Sequence, residues 1–229
     1  MHMRNKASTH GFLLLALLPI PEFLHESSRI HSVLEVRLFH HCLDIVLQPL
    51  KDAMKHGCMM PDPLGNLHYC FTLLVSFIAD MPKACMVTCV CSKTSPVTMA
   101  SHENFGDPFR HPSCTAALTK HQLASIEHLA AHIEEFFNAC REFHLSGIAI
   151  PFWINWLFAT PSCFLMPEAL HYWHRQCWDH DVKWCQIVLG DEEIDFHFSV
   201  LPKITGLRHF RNGITKLKQV GGRTPRDMQ

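Results

Sequence analysis

Glu168 and His171 stand three residues apart in the run Pro167-Glu168-Ala169-Leu170-His171-Tyr172-Trp173-His174. On a helix, positions three and four apart share a face, so a carboxylate and an imidazole would project together, with His174 extending that face. Such a pair can hold a divalent metal or organise a phosphate; a glutamate in a first turn also simply complements the helix dipole. Asp80 is a second acidic candidate, because it ends an apolar, strand-like run just before Met81 and Pro82. Strand ends hold side chains rigidly where they reach solvent, although an aspartate at such a place equally serves as a turn or capping residue.

Basic residues gather near the C-terminus. Residues 203–226 contain no acid but include Lys203, Arg208, Arg211, Lys216, Lys218, Arg223 and Arg226. This is the best local candidate for contact with a phosphate backbone, with an ordinary solvated surface as the other reading. Cys89-Val90-Cys91 has a single intervening residue, an unusual bite for tetrahedral zinc, and no second pair completes it, so no zinc site is assigned. Trp173, Trp178 and Trp184 read as core residues rather than as stacking platforms for bases.

The elements that must position these groups follow from periodicity. Residues 28–56 place apolar side chains at Ile30, Val33, Leu34, Leu38, Cys42, Ile45, Val46, Leu50 and Met54, the spacing of an amphipathic helix. Ser27 or Ser28 can cap it, Gly57 can end it, and Pro49 should kink or divide it. The turn-rich Pro61-Asp62-Pro63-Leu64-Gly65-Asn66 precedes one long or two short strands over residues 67–79. Residues 84–90 fit a short helix or a strand. Residues 92–112 read as loop, 119–143 as helix, and 147–161 as an aromatic loop. Pro167 fits the first turn of a helix running to about Leu189 and stopping near Gly190. Residues 194–201 alternate apolar and polar, which predicts a strand with Asp195, His197 and Ser199 on one face.

At 229 residues, 48% hydrophobic and 18% charged, the chain can bury a substantial core. Its formal charge of -1 excludes a global attraction to nucleic acid, leaving only local patches to meet phosphates. Eleven cysteines, odd in number and irregularly spaced, read as reduced thiols, and the 19 histidines scatter rather than cluster as zinc ligands. The apolar run at residues 11–18, following Arg4 and Lys6, imitates a secretory signal, but Pro19 and Pro21 interrupt it and it is too short to span a membrane. A fully buried strand is the preferred reading.

The wording of the chain is more specific than its periodicity. Leu17-Leu18-Pro19-Ile20-Pro21, Pro63-Leu64-Gly65-Asn66, Ala79-Asp80-Met81-Pro82, the run 93–100, Phe105-Gly106-Asp107, Pro151-Phe152-Trp153, the Glu168 to His174 stretch, the run 178–185, Ile194-Asp195 and Gly213-Ile214-Thr215 follow one another in order. In these the chain resembles the Plavaka transposases of basidiomycete fungi, relatives of the CACTA-type elements. The resemblance implies an α/β (mixed α+β) fold with part of a ribonuclease H-like core, and Mg²⁺ ions held by carboxylates for DNA strand cleavage and transfer. By the same resemblance Asp80 is the second catalytic and metal-binding carboxylate and Glu168 the third, and His171 belongs to an acid-x-x-His signature.

That family's core begins with a hairpin bearing the first carboxylate, and residues 12–20 correspond to its third strand. The expectation is therefore one truncated core over 1–229: a partial sheet and helix at 11–91, a helical insertion at 92–165, and a helix with a basic segment at 166–229. It would be transposon-derived and inactive alone, acting in the nucleus if functional, with DNA as partner, no membrane span, and self-association through an unpaired edge at 12–20. The alternative is a non-catalytic DNA- or protein-binding module using Arg208, Arg211, Lys216 and Lys218. A third reading is an intact nuclease in which Asp107 or Asp195 substitutes for the missing ligand.

Overall fold

Ser27 sets the start of the longest element: its hydroxyl accepts a hydrogen bond from the Ile30 amide, and α1 then runs over Ser28–His56. Gly57, at φ +71°, ends it, and any side chain there would collide with the Tyr69 ring. Pro49 neither kinks the helix into two elements nor ends it. In the computed structural model, residues 14–24, 27–126, 133–168, 173 and 176–217 are described. They belong to two units, Met1–Phe77 with Pro82–Leu165 and Ile78–Met81 with Met166–Gln229.

In the first unit, α1 is followed by an antiparallel hairpin of β1 (Cys58–Pro61) and β2 (Leu67–Cys70). Asp62 nucleates the turn, accepting from the Leu64 and Asn66 amides, the Asn66 side chain and the His68 ring. These bonds hold the Asp62 carboxyl at about 2. The apolar run after the turn resolves into two short strands, β2 and then β3 (Phe77–Ala79), whose Ile78 and Ala79 belong to the second unit, and α2 (Met81–Thr88), in the first unit from Pro82, takes the helical option open for residues 84–90. Cys89, at φ +63°, closes α2 as the Val90 amide reaches back to the Cys85 carbonyl.

Residues 92–112 are irregular apart from a 3-10 turn at His102–Asn104 and the bridges Thr94 to Ser101 and Thr98 to Ser113. The helix expected over 119–143 is two, α3 (Ala116–Ser125) and α4 (Ile133–Glu142). Their core holds Leu123, Ile126, Phe136, Phe137, Cys140 and Leu145, with Val33 of α1 packed on it. The one-turn helix α5 (Pro161–Phe164) leads into β4 (Leu165–Pro167).

The inward face of α1 carries polar side chains where the apolar spacing did not place them. Val33, Arg37, His40, Asp44, Leu47, Lys51 and Met54 recur every three to four positions. His40 is 1% exposed and Lys51 5%, whereas Ile45 is 61% exposed. Their partners are backbone groups of residues 147–152, a stretch without regular structure whose amides and carbonyls must find donors and acceptors elsewhere. Arg37 donates twice to the Gly147 carbonyl, the His40 Nδ1 accepts from the Phe152 amide at 3.1 Å, and Lys51 donates to the Phe152 carbonyl and to Asp44. Trp153, fully buried, donates its indole N–H to the Val87 carbonyl at 2.7 Å.

In the second unit, a π-helical turn (Cys177–Val182) passes into α6 (Lys183–Leu189), and Gly190 at φ +87° turns the chain into α7 (Asp191–Val200). A strand was expected at 194–201. The helix forms instead because Asp191, Glu192 and Glu193 occupy its first turn, where the dipole favours them. Helical spacing also brings Ile194 and Phe198 onto one face against Val182, Phe210 and Ile214.

Three further expectations need correction. Residues 14–20 form no strand, and Ile20 is 94% exposed, so no buried strand or strand edge exists there among the described residues. Pro19 and Pro21 lack the amides a ladder requires. Pro167 closes β4 rather than opening a helix. Trp173 and Trp184 are exposed, while Trp178 packs beside the Val182 cluster.

Candidate functional site

β3 and β4 pair, and the Glu168 amide, just past β4, donates to the carbonyl of Ala79, the last residue of β3, at 3.1 Å. That bond sets the C-terminal ends of the two strands side by side. Asp80 and Glu168, separated by 88 positions in the chain, therefore leave the strand pair from the same end. Both are partly buried and neither is a free group. Asp80 immediately precedes α2, whose second residue is Pro82, a residue tolerated in a first helical turn because its missing amide has no partner there. His171 lies outside the described residues, as does His174.

A Mg²⁺ ion takes one or two carboxylates and completes its shell with waters and substrate phosphates, so a pair of ions calls for about three acidic donors. Asp80 and Glu168 have the right chemistry. Among the described residues, however, no group of three or more His, Cys, Asp or Glu side chains could hold a metal ion, so the fit fails on donor number. Asp107 pairs with His111 at 2.9 Å. Asp195 is committed to the backbone: Oδ1 accepts from the Ile214 and Thr215 amides at 2.7 and 2.9 Å, and Oδ2 accepts from the Thr215 hydroxyl at 2.7 Å. Desolvation pushes the Asp195 carboxyl up, but the Thr215 and Ile214 bonds, with the Lys216 charge, outweigh it and hold the group below its ordinary range. Asp195 is thus an anchor for the loop after α7, not a substitute ligand.

That loop presents the basic residues. Phe210 and Ile214 are buried, and Asp195 ties down residues 214 and 215, while Arg208, Arg211 and Lys216 are exposed. The Arg208 guanidinium lies over the Phe210 ring at 5.2 Å. Lys218 lies outside the described residues.

Five of the cysteines are held as neutral thiols by burial. All eleven are free thiols. Burial pushes the thiols of Cys85, Cys89, Cys91 and Cys114 up and that of Cys140 to about 11, so at neutral pH they are protonated and poor as ligands or nucleophiles. The residues that sequence reasoning missed are His40 and Lys51. Their signal was the repeat 33-37-40-44-47-51-54, visible only if polar side chains are admitted to a buried face.

Helices with small two-stranded sheets make this an α+β protein, with two acids at neighbouring strand ends and a separate anchored basic loop. Among the described residues no helix is long and apolar enough to cross a membrane. The family model described as Plavaka transposase matches residues 1–185, and the chain belongs to that family. The match contains Asp80 and Glu168 and stops short of the basic loop. No curated protein matches the chain, and no solved structure does.

Proposed function

We propose that this transposon-derived chain carries part of a DNA transposase catalytic core, of the ribonuclease H-like type, with Asp80 and Glu168 as two of its acidic residues, and that it does not cut DNA by itself. The observation that carries this reading is the Glu168 to Ala79 hydrogen bond, which brings two distant acids to one end of a strand pair. Paired Mg²⁺ ions at one or two carboxylates each call for more than Asp80 and Glu168, which supports inactivity of the chain alone. The test is nicking of supercoiled DNA in Mg²⁺ or Mn²⁺ by the purified chain and by Glu168→Ala. No cutting by either is expected; metal-dependent cutting lost in the variant would overturn inactivity.

A second reading, a DNA-binding module, is favoured by the anchored loop that leaves Arg208, Arg211 and Lys216 exposed. Each phosphate contact should steepen the salt dependence of binding by about 0.9 in log K against log salt. Replacing all three residues by Ala should lower that slope by about three. An unchanged slope would remove this loop from any DNA interface.

A further inference from the structure

A cleft of about 530 Å³ opens in the first unit between the C-terminal half of α1, the start of α3 and residues 155–160. It shares no residue with the Asp80 and Glu168 strand ends or with the basic loop. Lys51, Lys55 and Lys120 line it, against Asp44 and Asp52. Asp44 pairs with Lys51, and Asp52, which accepts from the Gln48 side-chain amide at 2.9 Å, keeps its charge, so Lys55 and Lys120 leave the lining with one positive charge in excess. Lys51 is the unusual member: an ammonium 5% exposed, with two of its three protons committed, to Asp44 and to the Phe152 carbonyl. Burying an ammonium is costly unless it is paired, and a third acceptor at this wall would complete its shell. Lys55 and Lys120, both exposed, stand at the mouth.

The same cleft has an aromatic rim. Phe158 is 84% exposed and adopts φ +63°, a left-handed conformation that a side-chain-bearing residue rarely takes. An apolar ring held out in water on such a backbone offers a free π-face beside the three ammonium groups, the combination that receives a flat aromatic ring carrying an anion. Asn155 and Thr160 add polar groups to the wall.

We propose that this cleft binds a nucleoside phosphate, its phosphate held by Lys51, Lys55 and Lys120 and its base stacked on Phe158. A free nucleotide and the 5′-phosphorylated end of a strand share that chemistry.

The experiment is equilibrium binding of dAMP, inorganic phosphate, and a short oligothymidylate with and without a 5′-phosphate to the full chain at low salt. We expect saturable binding of dAMP, at least tenfold tighter than of inorganic phosphate. Lys55→Glu with Lys120→Glu, both surface changes, should weaken dAMP at least tenfold with the thermal midpoint unchanged. Phe158→Gly suits the left-handed backbone and so keeps the fold, but should bring dAMP down to the affinity of inorganic phosphate while leaving phosphate itself unaltered. A phosphorylated oligonucleotide that binds tighter than both dAMP and its unphosphorylated form, and is weakened by Phe158→Gly, assigns the site to a strand end, and tighter binding of dAMP assigns it to a free nucleotide; equal binding of the two oligonucleotides places them on the basic loop and leaves the cleft to the dAMP arm. No saturable binding of dAMP or of the phosphorylated oligonucleotide at millimolar concentration overturns the proposal. So does dAMP binding that is indifferent to the lysine changes or to Phe158→Gly.

Discussion

Acid should loosen the first unit through one imidazole. His40 is 1% exposed, stacked on the Phe152 ring, and bonded at both nitrogens: Nε2 donates to the Met86 carbonyl at 3.0 Å and Nδ1 accepts from the Phe152 amide at 3.1 Å. Because Nδ1 must accept, the neutral Nε2–H tautomer is the one the site holds. Protonation would turn that acceptor into a donor facing an N–H. Burial lowers the His40 value from 6.5 to about 4, the Met86 bond partly opposes it, and the nearby Lys83 charge adds to it. Cys89 Sγ, 3.4 Å from Nε2, is a neutral thiol and brings no compensating charge.

The sign follows directly. The folded state binds the proton more weakly than the unfolded chain, so His40 contributes stability that is fully present above about pH 6.5. It declines as the pH falls and is gone below about 4. A move from 6.5 to about 4 corresponds to about 3 kcal/mol, at roughly 1.4 kcal/mol per tenfold change in proton affinity. His40→Leu would leave the Phe152 amide and the Met86 carbonyl without partners, at about 1–3 kcal/mol each. The variant should therefore be weaker at pH 7 yet lack this acid-dependent loss. Urea unfolding monitored by tryptophan fluorescence, at pH 7, 5.5 and 4.5 for both proteins, isolates the effect, because the other histidines and acids cancel in the difference. If the gap between wild type and variant stays constant across that range, His40 is not held neutral and the reasoning fails.

Two further outcomes are expected. Gly213→Ala should drive a methyl group into Asp195 Oδ1 at a φ of +71°, expelling the carboxylate that anchors the loop. A loss of about 2–4 kcal/mol in the second unit, from backbone strain and lost hydrogen bonds, should appear as faster hydrogen exchange at the Ile214 and Thr215 amides, with α2 amides unchanged. Asp62→Ala should loosen the β1–β2 hairpin. In wild type the carboxyl is held at about 2 by the Asn66 and His68 side chains and the turn amides, so its contribution is present above about pH 4 and lost as the pH falls through 2. Amide exchange at Met60 and His68, the ladder pair two residues on from the bonded Asp62 and Asn66, should be slow at pH 5 in wild type and fast in the variant, which checks this.

Local signals were enough where a segment satisfies itself. Ser27 and Gly57 delimit α1, and Asp62 with Asn66 makes the hairpin turn, because caps and turns close their hydrogen bonds within a few residues. Alternation misled at residues 194–201, where Ile194, Phe196, Phe198 and Val200 fit a strand equally well. Among the described residues no neighbouring strand is present there to complete a ladder, and a helix supplies its own bonds. Phe196 and Val200 are left exposed as a result. Apolar spacing misled on α1 for a different reason. The partner of its inner face is unsatisfied backbone at residues 147–152, which attracts Arg37, His40 and Lys51 rather than methyl groups.

The acidic site divides in the same way. The sequence by itself determined that Asp80 ends an apolar run, that Glu168 follows Pro167, and that the chain carries the Plavaka wording. Only the tertiary structure decided that these two residues leave one end of a strand pair, because a hydrogen bond between Glu168 and Ala79 closes a loop of nearly ninety residues whose ends no local pattern can pair. It alone also decided that Asp195 is an anchor. A carboxylate becomes a ligand or a brace according to which amides fold up against it.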